Sequence, residues 1–598
     1  MSTRQSLAVL AILIAGVSFL WSPQKCRTYP GDPSWPEPHV WDELNKTVDG
    51  LLIRSRPVAI ACHHPHFDEE QCNEVRKQWH SPQYLEKSSS AIQTPLFANK
   101  SCDPFSEPDA PCAIGSHVAY SVKVASPAHV ISTVKFAKEH NLRFVVRNTG
   151  HDYMGKSTGS QALAVWMGHL RLTEWFDDYE GSNYRGPAVK MQAGVPVEQT
   201  YEEANTRGLV VVSGVCPTVG FSGGYIQGGG HGPFGSLYGL AADQTLSMEV
   251  ITTTGEFVRA SPTENSDLFW AMSGGGGGTY GILWTVTVKA FPDIPIAGGR
   301  IGFSKSDKIS DDTWWEAIDF YQAMTPSFTD IGATSFAFYS NEKFDLPAVF
   351  LPNGTSRSII TLLQPFVDKL SSLRIPHKVD YKTYPNFLPA YKELWPSELF
   401  GVGLFYFGNR LLPRELWDNR DGVEGKKFKQ LTKAVREMVE DGAGAFDIAI
   451  RPTLKVAGNP DNAVHPAWRE AERAFGIQLL WDDLDDWPAI QGKLNKITAY
   501  VGLLRELTPG GGAYLNEADP YEPNWQQAFY GSHYNKLLAI KDKWDPDQML
   551  YGATAVGGDR WSEKDDGRLC PAQSGVQWFL SEAFERGRGA LASFVPSL

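Results

Sequence analysis

Two short polar runs carry side chains able to act as nucleophiles. Arg147-Asn148-Thr149-Gly150-His151-Asp152-Tyr153-Met154-Gly155-Lys156-Ser157 sets an imidazole in a loop straight after the apolar run Phe144-Val145-Val146. Gly214-Val215-Cys216-Pro217-Thr218-Val219-Gly220 sets a thiol in a stretch too glycine-rich for a regular element. A neutral imidazole and a thiolate both attack electrophilic carbon. The glycine runs at 214–232 and 273–281 expose backbone N–H groups that can approach a flat ligand or a diphosphate. Such donors stabilise developing negative charge where water is excluded; the same glycines can equally be structural.

The elements that must hold these loops read as α/β at first. Tyr120–Val124 alternates as a strand, Ser126 and Pro127 open a helix, and Val130, Ile131, Val134 and Ala137 follow at helical spacing. Asn141 ends that helix, Phe144–Val146 forms a buried strand, and the His151 loop follows it, where α/β proteins place ligands. Met248–Thr253 is a further strand with Gly255 in the turn after it, and the second glycine run feeds another. Gly230-His231-Gly232-Pro233-Phe234-Gly235 fits G-x-G-x-x-G, but it follows no clear strand and contains Pro233, so no nicotinamide site is expected there. From about residue 293 the chain has longer elements rich in Phe, Tyr and Trp. Trp314, Trp315, Phe405 and Tyr406 are candidates either for a hydrophobic cleft or for core.

With 598 residues, 42% of them hydrophobic, the chain forms several domains with substantial cores. A net charge of −13 disfavours nucleic acid and anionic lipid as partners. Arg4 followed by the apolar run Ser6–Trp21 and Gly16-Val17-Ser18 reads as an export signal, shorter than the roughly 20 residues of a spanning helix. Seven cysteines agree with export. Short separations favour Cys62–Cys72 and Cys102–Cys112, which leaves Cys26 for Cys570 and makes Cys216 the odd one. Sequons at Asn45, Asn99 and Asn353 fit the same route. His63-His64-Pro65-His66 reads as a polar surface loop, with no metal expected.

The two nucleophile-bearing runs match R-x-x-G-H-x-x-x-G-x-S and G-x-C-P-T-V-G. With YGLAADQ at 238–244 and DLFWAMSGGGGGTYG at 267–281, they resemble the berberine bridge enzyme-like group of the vanillyl alcohol oxidase/para-cresol methylhydroxylase flavoproteins. The resemblance runs in order over roughly residues 115–555. It implies an α+β protein: a PCMH-type FAD-binding domain plus an antiparallel-sheet substrate domain with helices on one face. The expected division is a signal peptide at 1–22, a disulfide-pinned extension at 23–114, the FAD domain at 115–292, the substrate domain at 293–505, a returning segment at 506–555 and a tail at 556–598.

It also implies FAD bound covalently through His151 and Cys216, with Arg147, Asn148, Thr149, Gly150, Asp152, Gly214, Thr218, Gly220, Gly224, Tyr225, Gly230 and Ile282 around it. Tyr225 stands, after a one-residue insertion, where many plant members carry a flavin-holding histidine. In GGAYLNEADPYEPNWQQAFYG, at 511–531, Tyr514 corresponds to the proton-removing base and Asn516 to its neighbour. A tyrosine acting as base near neutral pH needs hydrogen bonds or a cation that favour its phenolate. The implied activity is hydride transfer from an alcohol, sugar or secondary metabolite to FAD, with O2 as acceptor, in a secreted enzyme. A dehydrogenase or cyclase using little O2, and a glycan-binding protein with a vestigial flavin fold, are the alternatives.

Overall fold

The computed structural model describes residues 25–395, 402–417 and 425–572. The expected signal segment lies outside the described residues, as does the tail beyond 572.

The His151 side of the molecule is built on two sheets. The first has four strands, in the order Leu52–Arg54, Tyr120–Lys123, Leu163–Trp166, Phe144–Arg147; the last three are parallel. Residues 52–54, from the expected N-terminal extension, pair antiparallel to Tyr120–Lys123 and so form an edge of this sheet. Helix Pro127–Glu139 covers it, burying Val130, Val134 and Ala137. Ser126 occupies the N-cap position, but its side chain makes no capping hydrogen bond. Asn141 has φ +50°, the left-handed turn that lets the chain reverse into Phe144–Arg147. The second sheet is antiparallel, in the order Thr173–Glu180, Arg185–Gln192, Ile282–Lys289, Thr245–Ile251, Phe257–Ala260.

The substrate side is one antiparallel sheet of seven strands. Its order is His377–Tyr384, Ile296–Ser304, Lys343–Pro352, Thr334–Tyr339, Gly444–Ala449, Ala471–Leu480, Phe405–Pro413. Strand periodicity splits its residues between two cores. Ala337, Tyr339, Val349 and Phe475 pack under helices Asp311–Thr329, Ser356–Ser372, Lys426–Glu440 and Trp487–Leu507. Phe336, Ala348, Phe350 and Ile448 point the opposite way, into the core shared with the glycine-rich loops. Trp314, Trp315 and Tyr406 belong to the helix-covered core, which settles their open assignment; Phe405 faces the cavity described below.

A buried polar cluster joins the two halves. Arg469 donates from both terminal nitrogens to the Asp243 carboxylate at 2.7 and 2.9 Å, and Asn462 Nδ2 donates to Asp243 Oδ1 at 2.7 Å. Leu240 N donates to Oδ2 at 2.8 Å, so every oxygen of this buried carboxylate is satisfied. The three expected disulfides are all present: Cys26–Cys570, Cys62–Cys72 and Cys102–Cys112. The His63–His66 loop departs from expectation. His64 and His66 are exposed, whereas His63 is buried, with its ring nitrogens 3.0 Å from the Ala110 and Asp103 carbonyl oxygens. Its neighbours Cys102 and Cys112 are bonded to each other and offer no thiolate for a metal.

Two stability outcomes follow from these ties. Replacing Cys26 and Cys570 by Ser removes the clasp between the chain ends; the expected loss is roughly 2–4 kcal/mol, read as faster thermal inactivation than wild type. Asp243→Ala leaves the Arg469 guanidinium buried without its carboxylate and is expected to cost about 3–5 kcal/mol in denaturant unfolding.

Candidate active site

Strand Phe144–Arg147 ends beneath the His151 loop, and three braces fix that loop. Arg147 Nη1 donates to Ala91 O at 2.5 Å, Gln93 Nε2 to Thr149 O at 2.9 Å, and Thr94 Oγ1 to Asp152 O at 2.6 Å. All three partners come from the cysteine-rich N-terminal segment, whose part in the site the sequence did not signal. Within the loop, Asp152 accepts from Met154 N at 2.9 Å and from both Ser157 N and Oγ, at 2.6 and 2.8 Å. The His151 and Cys216 loops are then laced together. His151 Nε2 lies 2.7 Å from Thr218 Oγ1, and Gly220 N donates to Thr149 Oγ1 at 3.1 Å. With Nε2 held, Nδ1 is the ring nitrogen left for reaction. Burial, with Arg147 adding to it, pushes His151 down to about 4, so its imidazole is neutral at ordinary pH.

The glycine runs make room for specific side chains. A Cβ at Gly220 or Gly223 would meet the Asn148 amide at 2.6 Å, and one at Gly230 would meet the Tyr225 ring at 2.8 Å. Gly230 also has φ +75°, a backbone that favours glycine. Tyr225 Oη donates to His231 O at 3.0 Å, so the tyrosine pins the glycine-rich floor. Tyr201 Oη does the same at Gly214 O, at 2.7 Å. Ala241 N and Ala242 N donate to Gly230 O and Gly229 O at 2.8 and 2.9 Å, which links the floor to the Asp243 cluster.

Tyr514 enters from the returning segment. Strand residue Asn409 holds its backbone from both sides: Tyr514 N donates to Asn409 Oδ1 at 2.9 Å, and Asn409 Nδ2 to Tyr514 O at 3.4 Å. Asn516 Nδ2 donates to Tyr514 Oη at 2.9 Å and to Gly224 O at 2.7 Å. Gly230 N also hydrogen-bonds the Tyr514 oxygen. These two N–H donors favour the phenolate, whereas burial and the nearby Glu517 carboxylate raise the Tyr514 pKa. Among the described residues the helper groups are an amide and a backbone N–H, with no cation.

All of this converges on one cavity of about 220 Å³. Asn148, Thr149, Gly150, His151 and Asp152 line one end, and Cys216, Gly220, Gly224 and Tyr225 line the floor. Tyr514 and Asn516 stand at the other side, opposite aromatic rings of the seven-stranded sheet, among them Phe338, Phe407 and Phe446. Arg147, Gly214, Thr218 and Gly230 support these residues from behind. Ile282 does not reach the cavity; its side chain is buried with Ile251 and Trp284 in the core beside the four-stranded sheet. Two polar residues on the Tyr514 side of the cavity, His231 and Glu517, carry no functional signal in the sequence. His231 lies edge-on to the Tyr514 ring at 5.2 Å, and Glu517 accepts from it at 3.1 Å. His231 lies inside the segment that matches the dinucleotide pattern poorly, and Glu517 directly follows the Y-x-N pattern.

The polar atoms left over test the fit of FAD. Lys156 Nζ and Asn148 Oδ1, on residues that line the cavity, are buried with no partner among the described residues, and burial lowers Lys156 to about 8. A buried ammonium is costly unless an acceptor meets it, and a buried amide oxygen unless a donor does. FAD offers acceptors in its diphosphate and ring carbonyls and a donor in its ring N–H, so the residues present fit the cofactor.

Comparison with known proteins agrees. Residues 118–261 match the FAD binding domain family and residues 513–556 the family described as berberine and berberine like. The chain is 40% identical to the FAD-linked oxidoreductase patO of Aspergillus clavatus, over 94% of this chain and 97% of that one. Its structure is similar to that of a VAO-type flavoprotein from Myceliophthora thermophila, with 35% identity, a TM-score of 0.86, and coverage of 92% and 100%. The glucooligosaccharide oxidase of Acremonium strictum, described with a 6-S-cysteinyl, 8α-N1-histidyl FAD, shares the fold at 18% identity, with a TM-score of 0.59 and coverage of 73% and 91%. The chain belongs to the berberine bridge enzyme-like, FAD-linked oxidoreductases of the vanillyl alcohol oxidase type.

Proposed function

We propose that this chain is a secreted oxidase whose FAD is joined covalently through His151 and Cys216, and which takes hydride from an alcohol-bearing sugar or secondary metabolite with O2 as acceptor. The observation that carries this reading is the convergence of His151, Cys216 and the Tyr514–Asn516 pair on one cavity. Bound FAD would supply the hydride acceptor.

The chain's own residues do the rest. Neutral His151, with Nε2 held by Thr218, presents Nδ1 as a nucleophile, and half-buried Cys216 offers a second attachment point at the cavity floor. Tyr514 Oη is the site that holds and accepts the substrate hydroxyl proton. Asn516 and Gly230 aim N–H groups at that oxygen and offset the charge that forms there. The aromatic rings from the sheet exclude water and suit a flat or apolar substrate portion. The relative described as a VAO-type flavoprotein oxidase, from Thermothelomyces thermophilus, supports the choice of O2. Three disulfides support export, and exposed Asn99 and Asn353 suit glycans better than Asn45, whose side-chain oxygen accepts from Leu52 N at 3.1 Å. With a net charge of −13, neither nucleic acid nor an anionic membrane is a partner in this reading.

Acid denaturation tests the tether. Flavin absorbance is expected to sediment with the wild-type protein and to appear in the supernatant only when His151→Ala and Cys216→Ala are combined; flavin in the wild-type supernatant would overturn the covalent reading. Tyr514→Phe is expected to retain flavin but to lower kcat about 10²–10⁴-fold in a screen of alcohols and sugars. Equimolar peroxide per substrate oxidised marks an oxidase, and less marks a dehydrogenase or cyclase.

A further inference from the structure

Glu517 is the carboxylate that stands beside Tyr514 in the cavity, and nothing in the hydride-transfer scheme uses it. Its Oε1 accepts from His231 Nε2 at 3.1 Å, while Oε2 makes no hydrogen bond among the described residues. The side chain is 23% exposed and lines the cavity, and its His231 partner is 7% exposed, so one oxygen of a cavity-lining carboxylate is anchored. His231 cannot drift. Its carbonyl is held by Tyr225 Oη at 3.0 Å, and its ring packs against both Tyr514 and Trp468, at 5.2 and 6.1 Å.

His231 Nε2 is the ring nitrogen that meets Glu517, while Nδ1 is buried with no hydrogen-bond partner among the described residues. The Glu517 carboxylate thus stands in the cavity as an acceptor with one oxygen engaged. The other charged groups lining the cavity, Asp152 and Lys156, both sit on the His151 loop. Asp152 is already bonded to Ser157 and Met154. Glu517 lines the same cavity as Tyr514, Tyr225 and Tyr153.

We propose that Glu517, anchored by His231, is a specificity-determining residue: its fixed carboxylate admits neutral or cationic hydrogen-bond donors beside Tyr514 and turns away carboxylate-bearing molecules. This deepens the oxidase reading and rests on it for the placement of substrate next to Tyr514. The selected class is hydroxyl- or amine-bearing compounds with an apolar ring. The acids that would form on further oxidation of a primary alcohol are excluded by the same charge.

The test uses the flavin-loaded full chain and three probes of one shape, benzyl alcohol, benzylamine and benzoate, titrated against flavin absorbance. Wild type is expected to bind benzoate at least ten-fold more weakly than Glu517→Gln does, with the gap narrowing at high salt. Glu517→Asp is expected to keep the wild-type preference, which a merely structural role would not require. Retention of flavin and an unchanged thermal midpoint show that each variant is folded. An equal response of wild type and Glu517→Gln to benzoate, including no response from either, overturns the proposal. Tyr514→Phe separates the two readings: it is expected to keep the charge selectivity while losing turnover. A Tyr514→Phe enzyme with normal turnover would sink the base assignment and leave the Glu517 result standing.

Discussion

The site depends on one buried carboxylate. Asp243 is out of contact with water, yet each of its oxygens is met by a donor from a different direction: the Arg469 fork, the Asn462 amide and the Leu240 backbone. Arg469 and Asn462 come from the substrate half; Leu240 comes from the turn that supports the glycine-rich floor. Only one relative placement of the halves satisfies all these groups, and a buried charge lacking any of them is expensive. The ladder Ala241–Gly230 and Ala242–Gly229 carries that placement to the floor under Tyr514. The distance between floor and sheet is thus set by a polar network behind the cavity, which leaves the cavity wall free for chemistry.

The glycines serve this same end. They read at first as backbone made bare for a ligand, and several do line the cavity. Four of them, however, lie closest to polar side chains of the protein: Gly220 and Gly223 to Asn148, Gly228 to Asn516, and Gly230 to Tyr225. Omitting a Cβ lets polar side chains lie flat against the floor with their amides aimed inward. Asn516 shows the benefit, since one amide nitrogen reaches both Gly224 O and Tyr514 Oη. Tyr225 holds the His231 carbonyl of this floor while its side chain also lines the cavity.

The cavity combines opposing electrostatic demands. The buried Lys156 ammonium on the His151 loop fits an anionic cofactor, while the Glu517 carboxylate stands on the Tyr514 side. Tyr514 lies between two N–H donors that favour its phenolate and a carboxylate and apolar walls that disfavour it. To accept a substrate proton Tyr514 must be a phenolate, so the Asn516 and Gly230 donors work against burial and the Glu517 carboxylate.

Sequence alone determined the parts whose chemistry is local. The His151 and Cys216 runs, the strand that feeds the first, and the helix from Pro127 follow from nearest-neighbour geometry and periodicity. The disulfide set followed from cysteine parity and spacing. The tertiary structure decided which distant side chains meet. His231 and Glu517 are 286 residues apart in the chain, and Asn409 and Tyr514 are 105 apart. Gln93 and Thr94 brace the His151 loop from a segment that read as a separate extension. No spacing rule encodes such pairs, because they depend on which face of each strand or loop the packed cores turn inward. Ile282 makes the same point in reverse: it adjoins a family motif, yet strand alternation turns its side chain into the core and away from the cofactor cavity.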